Sequence, residues 1–261
     1  MIESKPAWQL GWAAPSPDDL PSAQFSALLD TLQQAGYAGV QTMIGEPYRL
    51  TAEKFQRLLG ERGLSLIGVR TGDIFANHGL RLSDPDPHRR QQAVQALCEV
   101  IAYASMYGTP KILVGLMQGQ LRQGESRDLA LGFIAEGLSA AASVAQRYGM
   151  LIGLEPVNRY LVGYNQTIEE VQALIDRAGG GNLQLLIDTF HMNIEEADIP
   201  GSVMRAAGKI GDVHLADSNR RPPGGGHFDF ESFFTALSQA GYRDSVTVEC
   251  DPLPDPSTAA I

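Results

Sequence analysis

The sequence predicts an α/β protein of the (β/α)₈ barrel class, and three observations carry that reading. Short apolar, β-branched runs alternate with longer amphipathic stretches from one end of the chain to the other. Eight such runs recur at intervals of roughly 30 residues, the length of one β/α unit of a barrel. Most are nearly continuous in apolar residues rather than alternating, which suits parallel strands buried on both faces. The competing arrangement is a doubly wound open sheet. No Gly-x-Gly-x-x-Gly follows the first run, so the usual dinucleotide site of that fold is missing. A chain of 261 residues suits one barrel, and no linker, charge block or low-complexity segment divides it, so residues 1–261 read as a single domain.

Taken in order, the strand expected at Trp8–Ala13 leads to a helical pattern at Ser22–Ala35 that stops at Gly36. The strand Ala38–Met43 is followed by Ala52–Arg62, with Thr51 placed as its N-cap. Leu64–Arg70 leads over a loop to His88–Tyr107, closed by Gly108. Lys111–Leu116 precedes Arg127–Tyr148, which Ser126 opens and Gly149 ends. Leu151–Glu155 precedes Ile168–Ala178, with Thr167 at its start. Leu183–Asp188 leads to Gly201–Lys209, and Asp212–Ala216 to Glu231–Ala240, which Gly241 closes. Glycine accepts the left-handed conformation that ends a helix without steric cost. The last strand, Ser245–Glu249, is followed by a Pro-rich tail to Ile261, so the closing helix is expected to be missing or cut short.

Composition narrows the function classes. At 44% hydrophobic and 19% charged residues the chain is an ordinary globular one. Cys98 and Cys250 are too few for a disulfide framework, and a reducing cytoplasm is the default compartment. No apolar run approaches the roughly 18 residues of a membrane span, and Met-Ile-Glu-Ser-Lys-Pro lacks the basic start of a signal peptide. The net charge of −10 argues against binding a nucleic-acid backbone.

Active sites of such barrels lie where the strands end. The fifth to eighth strands place Glu155, Asp188, His214 and Glu249 there, each about one β/α unit from the last. A single carboxylate at a strand end is more often a loop cap or an ion-pair partner. A coincidence over four successive strands is hard to explain that way. Three carboxylates in one low-dielectric pocket repel, and a divalent cation is the better neutraliser. Oxygen-rich ligation with one imidazole suits Mn²⁺ or Mg²⁺, with Co²⁺ as a further candidate. His191 and Arg220 are spaced to add donors beside such a site, Arg220 as an electrostatic clamp rather than a base. Asn158 and Arg159 follow Glu155 and read as fixing its loop. Pro222–His227 has the glycines of a phosphate cradle without its Lys-Ser/Thr ending, so a tight turn is the plainer reading. His227 reads as a cap or pocket-facing residue. Arg70 and Gln118 are candidates for contact with substrate hydroxyls, and His78 and His88 have no assigned role.

At these residues the chain resembles the ketose 3-epimerase group (tagatose and psicose 3-epimerases) of the xylose isomerase-like TIM barrel superfamily, of the sugar phosphate isomerase/epimerase type. The matching segments are Glu155-Pro-Val-Asn-Arg-Tyr160, Asp188-Thr-Phe-His-Met-Asn-Ile-Glu-Glu196, His214-Leu-Ala-Asp-Ser-Asn-Arg220, Pro-Gly-Gly-Gly-His-Phe-Asp-Phe230 and Val248-Glu249-Cys. The resemblance implies one divalent ion, Mn²⁺ as first choice, held by Glu155, Asp188, His214 and Glu249. It further implies that His191 and Arg220 hold the carbonyl end of a small ketose or keto-acid sugar, that Glu155 and Glu249 serve as acid and base, and that the enzyme is a homo-oligomer, a dimer or tetramer. Many members carry Glu directly after Asn-Arg-Tyr; here Leu161 stands there, and a polar contact to substrate is expected to be lost. C3 epimerisation through an enediolate is the leading expectation. Aldose–ketose or hydroxypyruvate isomerisation comes next, and a keto-sugar or inosose dehydratase after it. A metal-dependent DNA-repair endonuclease would want more His and a basic groove. A non-catalytic sugar-binding protein would not need both glutamates.

Overall fold

The structure, a computed structural model, describes residues 8–16, 22–44 and 50–260; the N-terminal hexapeptide and Ile261 lie outside the described residues. Among the described residues eight strands close into a barrel in sequence order, β1-β2-β3-β4-β5-β6-β7-β8. They are β1 Gln9–Ala13, β2 Gly39–Thr42, β3 Ser65–Arg70, β4 Lys111–Val114, β5 Leu151–Leu154, β6 Leu183–Asp188, β7 Ile210–Leu215 and β8 Ser245–Val248. Every neighbouring pair is parallel, and β1 closes on β8 through Gln9↔Ser245 to Trp12↔Val248. Runs such as Lys-Ile-Leu-Val and Ser-Val-Thr-Val are buried at every position, which is why they read as continuous rather than alternating.

The long helices follow the expected pattern for local reasons. In α1 (Ser22–Gln34) Phe25, Leu28, Leu29 and Leu32 fall on one face and are buried. In α2 (Ala52–Gly60) the Thr51 hydroxyl accepts from Lys54 N–H. A short α3 (Gly72–His78) and the long α4 (Pro87–Ser105) come next, then α5 (Arg127–Arg147), whose cap Ser126 accepts from Leu129 N–H, and α6 (Ile168–Ala178), capped by Thr167. Helix α5 is long and apolar enough to cross a bilayer by length and composition. Its Ile134, Leu138, Ala141 and Ala145 are instead fully buried in the core.

Most of the remaining helices depart from the expectation. Helix α7 (Thr189–Glu195), like α3, has seven residues, too few for a 3.6-residue period to show in the sequence. Helix α8 runs Ile199–Arg205, earlier than expected, because the Asp198 carboxylate caps Gly201 N–H and Pro200 suits a first turn. Helix α9 is Phe230–Gln239. A single turn, α10 (Pro256–Ala259), capped by Asp255, packs against α1 where the closing helix was expected to be missing or cut short.

Strand β2 approaches β3 closely at Gly39, where a Cβ would overlap Ser65 O and the Ile67 side chain, whereas a Cβ on Gly60 in α2 meets open space. Gly39→Ala is therefore expected to destabilise by about 1–3 kcal/mol. Gly60→Ala is expected to stabilise by up to about 1 kcal/mol. Urea denaturation checks the pair: a Gly39→Ala midpoint at or above wild type contradicts the close approach.

Candidate active site

The carboxyl ends of the strands surround a cavity of about 790 Å³. Glu155 follows β5, its N–H bonded to Val114 O at 3.0 Å, and Glu249 follows β8, its N–H bonded to Leu215 O at 2.9 Å. Asp188 is the last residue of β6 and His214 lies on β7 directly across from it. One ligand atom from each of these four residues lies within 4.8 Å of the other three. The strand-end coincidence read from the sequence is thus a cluster in space. Gly115, just past β4, makes room for it, since a Cβ there would overlap Glu155 Oε2.

The cluster is held unevenly. Arg220 donates from Nη1 to Asp188 Oδ2 and from Nη2 to Glu249 Oε2, both at 2.6 Å. Arg70 donates to Glu249 Oε1 at 2.9 Å and to Ala14 O at 2.6 Å. Burial raises the Glu249 and Asp188 carboxyls, but His214, Arg220 and Arg70 hold Glu249 well below the usual range, and Arg220 with His191 keeps Asp188 below it. Among the described residues no guanidinium hydrogen-bonds Glu155, and His214 and Arg220 only partly offset its rise. Burial first, then the charges of Glu249 and Asp188, push it up to about 8. Burial opposes charge on His214, yet Glu249, Asp212 and Glu155 raise it to about 9.

Two buried atoms test whether a cation fits. Glu155 Oε1 and His214 Nδ1 have no hydrogen-bond partner. They lie 3.9 Å apart, and His214 Nδ1 is 3.2 Å from Glu249 Oε2 without hydrogen-bond geometry. A buried polar atom left unpaired is costly, and a carboxylate–imidazole set converging on one point is the donor set of a divalent ion. The residues fit such an ion.

The outer residues sort as follows. His191 Nε2 lies 3.7 Å from Glu155 Oε1, and its Nδ1 accepts from Asn158 Nδ2 at 2.8 Å, which leaves the Nε2–H facing the cluster. Asn158 therefore positions His191 and also braces the loop after Glu155, its Oδ1 accepting from Tyr160 N–H at 3.0 Å, while Arg159 pairs with Glu195 at 2.7 Å. Gln118 does not line the cavity: it is buried and donates to Glu155 O and Gly115 O, so it braces the backbone instead of meeting substrate. His227 is exposed, bonds Ser218 Oγ at 2.9 Å, and lies outside the cavity; Asp229 caps the following helix. Arg70 and Leu161 do line the cavity.

Sequence reasoning missed Gln41, Gly115 and Asp217. Asp217 organises the Pro222–His227 loop: its carboxylate accepts from Ser218, Gly224 and Phe228 N–H at 2.7, 2.8 and 3.1 Å. Burial acts against its charge, but the backbone donors outweigh it and hold Asp217 at about 2. The loop cradles its own carboxylate and has no donors to spare for a phosphate. An Asp ahead of a Gly-Gly-Gly run was the available signal.

Comparisons with known proteins agree with the barrel fold. Residues 29–261 match the family described as xylose isomerase-like TIM barrel. L-ribulose 3-epimerase of Mesorhizobium japonicum is 31% identical over 244 residues, 91% of this chain and 78% of that protein. Hydroxypyruvate isomerase of Escherichia coli K12 is 28% identical over 87% of this chain and 88% of its own length. A solved L-ribulose 3-epimerase superposes with a TM-score of 0.83 at 26% identity, covering 97% of this chain and 86% of that one. The chain belongs to the xylose isomerase-like TIM barrel family.

The raised groups set a pH dependence for the metal-free protein. Glu155 rises from 4.5 to about 8 and His214 from 6.5 to about 9, so each stabilises the metal-free fold fully below its ordinary value. Those contributions fade as pH climbs through about 8 and about 9. A cation needs both groups deprotonated and binds more tightly over the same range. The rise in Tm given by saturating Mn²⁺ should therefore grow between about pH 6 and pH 8. Thermal melts with and without a chelator check it, and an increment that shrinks with pH would contradict the assignment.

Proposed function

We propose that this member of the xylose isomerase-like TIM barrel family is a divalent-metal-dependent carbohydrate isomerase that epimerises a ketose or keto-sugar acid at C3. The observation that carries the reading is the placement of Glu155 and Glu249, three strands apart on the rim of one cavity, with Asp188 and His214 between them. Kinship with L-ribulose 3-epimerase supports it.

Glu155, Asp188, His214 and Glu249 would hold the ion, Mn²⁺ before Mg²⁺ or Co²⁺. When bound, it supplies Lewis-acid stabilisation of negative charge developing on the substrate oxygens. The rest belongs to the chain. The Nε2–H of His191, fixed through Asn158, and the guanidinium of Arg220 aim donors at the carbonyl end of the substrate. Arg220 keeps its proton between Asp188 and Glu249, so it serves as donor and clamp. A proton next to a ketone leaves to one carboxylate and returns from the other on the opposite face of the planar intermediate, which inverts that carbon. The reading extends to a cytoplasmic homo-oligomer acting on a small sugar.

A second reading is isomerisation of the hydroxypyruvate type, where one group moves the proton between adjacent carbons on the same face. Leu161 favours it: an apolar side chain lines the cavity where a polyhydroxylated ketose would want a polar partner.

Solvent-deuterium exchange into L-ribulose, D-allulose and hydroxypyruvate with Mn²⁺ separates these readings. Deuterium at C3 with inverted product is the expected result. Transfer between C1 and C2 of a ketose, or between C3 and C2 of hydroxypyruvate, supports the isomerase, and loss of water a dehydratase. No exchange into any of them by the metal-loaded protein argues against the enolate chemistry. Glu249→Gln should lower kcat at least about 100-fold. Steady-state kinetics check this, and a variant of unimpaired activity would falsify the two-glutamate mechanism.

A further inference from the structure

Beneath the cluster, on the barrel axis, lies a buried polar chain that the proposed reaction does not use. Asp212 and His214 are two residues apart on β7 and so point into the same interior. The His214 Nε2–H donates to Gln41 Oε1 at 2.7 Å, and Gln41 Nε2 donates to Asp212 Oδ2 at 2.6 Å. On the other side of Asp212, Oδ1 accepts from Lys111 Nζ at 3.2 Å and from Ser245 Oγ at 3.3 Å. Lys111 also reaches Ser245 Oγ at 3.1 Å and the exposed Asp244 carboxylate at 3.1 Å. Gln41 and Asp212 are 0% exposed and Lys111 4%, so the chain runs dry from the cluster to the far end of the barrel.

The polarity of this chain has one direction. An amide can present either its oxygen or its NH₂ to a neighbour, and only the surrounding hydrogen bonds decide which. The Asp212 carboxylate, ion-paired to Lys111, is an acceptor and takes the Gln41 NH₂. A flipped amide would set its carbonyl against that carboxylate. Gln41 therefore turns its oxygen to His214, which requires a proton on Nε2 and leaves Nδ1 as the nitrogen that faces the cluster, where it is buried without a hydrogen-bond partner.

Resting on the reading of this cluster as a metal centre, we propose that Gln41, Asp212 and Lys111 are positioning residues: they fix which nitrogen of His214 is offered to the ion. A polar floor that served only to hold the barrel together would change the melting temperature when altered and leave the metal affinity of the folded protein alone.

Titration of Mn²⁺ by electron paramagnetic resonance at 25 °C, with electron spin-echo detection of imidazole nitrogen coupling, tests this on the full chain. Gln41→Met, close in shape but without an acceptor, is expected to weaken Mn²⁺ binding roughly 10–100-fold and to diminish the nitrogen coupling. Asp212→Asn should give a smaller loss, since an amide there accepts from Gln41 in only one of its two orientations. If Gln41→Met does not fold, Asp212→Asn decides alone. Wild-type affinity and unchanged coupling in the variant that folds overturn the proposal. A wild-type protein that binds no Mn²⁺ overturns the metal reading as well, and is told apart from failure of the relay by that control. Absence of epimerase activity leaves the comparison of affinities intact.

Discussion

Packing three carboxylates into one buried end of a barrel is the constraint on which the rest of this structure depends. At an effective dielectric near 20, two unit charges about 4 Å apart repel by about 4 kcal/mol. Glu155, Asp188 and Glu249 each sit within 4.8 Å of the others through one oxygen. The chain answers with Arg220 bridging Asp188 and Glu249, Arg70 on the far oxygen of Glu249, and His214 against Glu249. Among the described residues no guanidinium hydrogen-bonds Glu155, and its buried Oε1 is unpaired. The compensation is incomplete on one side, and that side is where an added cation would contribute most.

Holding Arg220 there has a backbone cost. Its φ of +62° lies in the left-handed region, which a residue with a Cβ enters at about 1 kcal/mol or more. The surrounding bonds determine it from several sides: Arg220 N–H donates to Asp217 O, Asp217 N–H donates to Arg221 O, and Asp251 N–H donates to Arg220 O. The Phe190 ring lies 4.9 Å below the guanidinium. Asp217 gathers the Gly-rich loop behind this turn, so the motif His214 to Phe230 works as one unit: ligand, clamp and the loop that sets the clamp's angle.

Much of this was legible in the sequence, and the gaps have physical causes. All eight strands were readable because strands buried on both faces are continuous apolar runs, and the cluster was readable because a barrel puts its strand ends together. Helices α3 and α7 were not, since two turns carry no visible period. Gln118 read as a site residue by its nearness to a strand end and His227 by its place ahead of a helix, yet a neighbouring carbonyl and a serine hydroxyl respectively occupy them. Gln41, Lys111 and Asp212 were invisible for another reason: they sit on three different strands, and pairing across a barrel interior depends on strand stagger, which apolar periodicity does not encode. Asn158 was noticed, but its partner His191 is 33 residues away, on α7.

The cavity walls carry the last step. On the β5 side the wall is apolar, with Val157 and Leu161, and Phe190 continues it. On the side of β3 and α3 it is polar, with Arg70, Thr71, Asp73 and Asn77. Hydroxyls that leave water must find hydrogen-bond partners, and away from the carboxylate cluster with His191 and Arg220 most of the polar lining of this cavity lies on the β3–α3 side. With Leu161 on the β5 side, polar groups for a substrate are to be sought among the residues after β3. Because Arg70 also binds Glu249, this polar wall and the carboxylate proposed to move the proton share one guanidinium. Under the proposed function, a substrate that engaged Arg70 would alter the setting of Glu249, which would couple recognition and proton transfer through a single side chain.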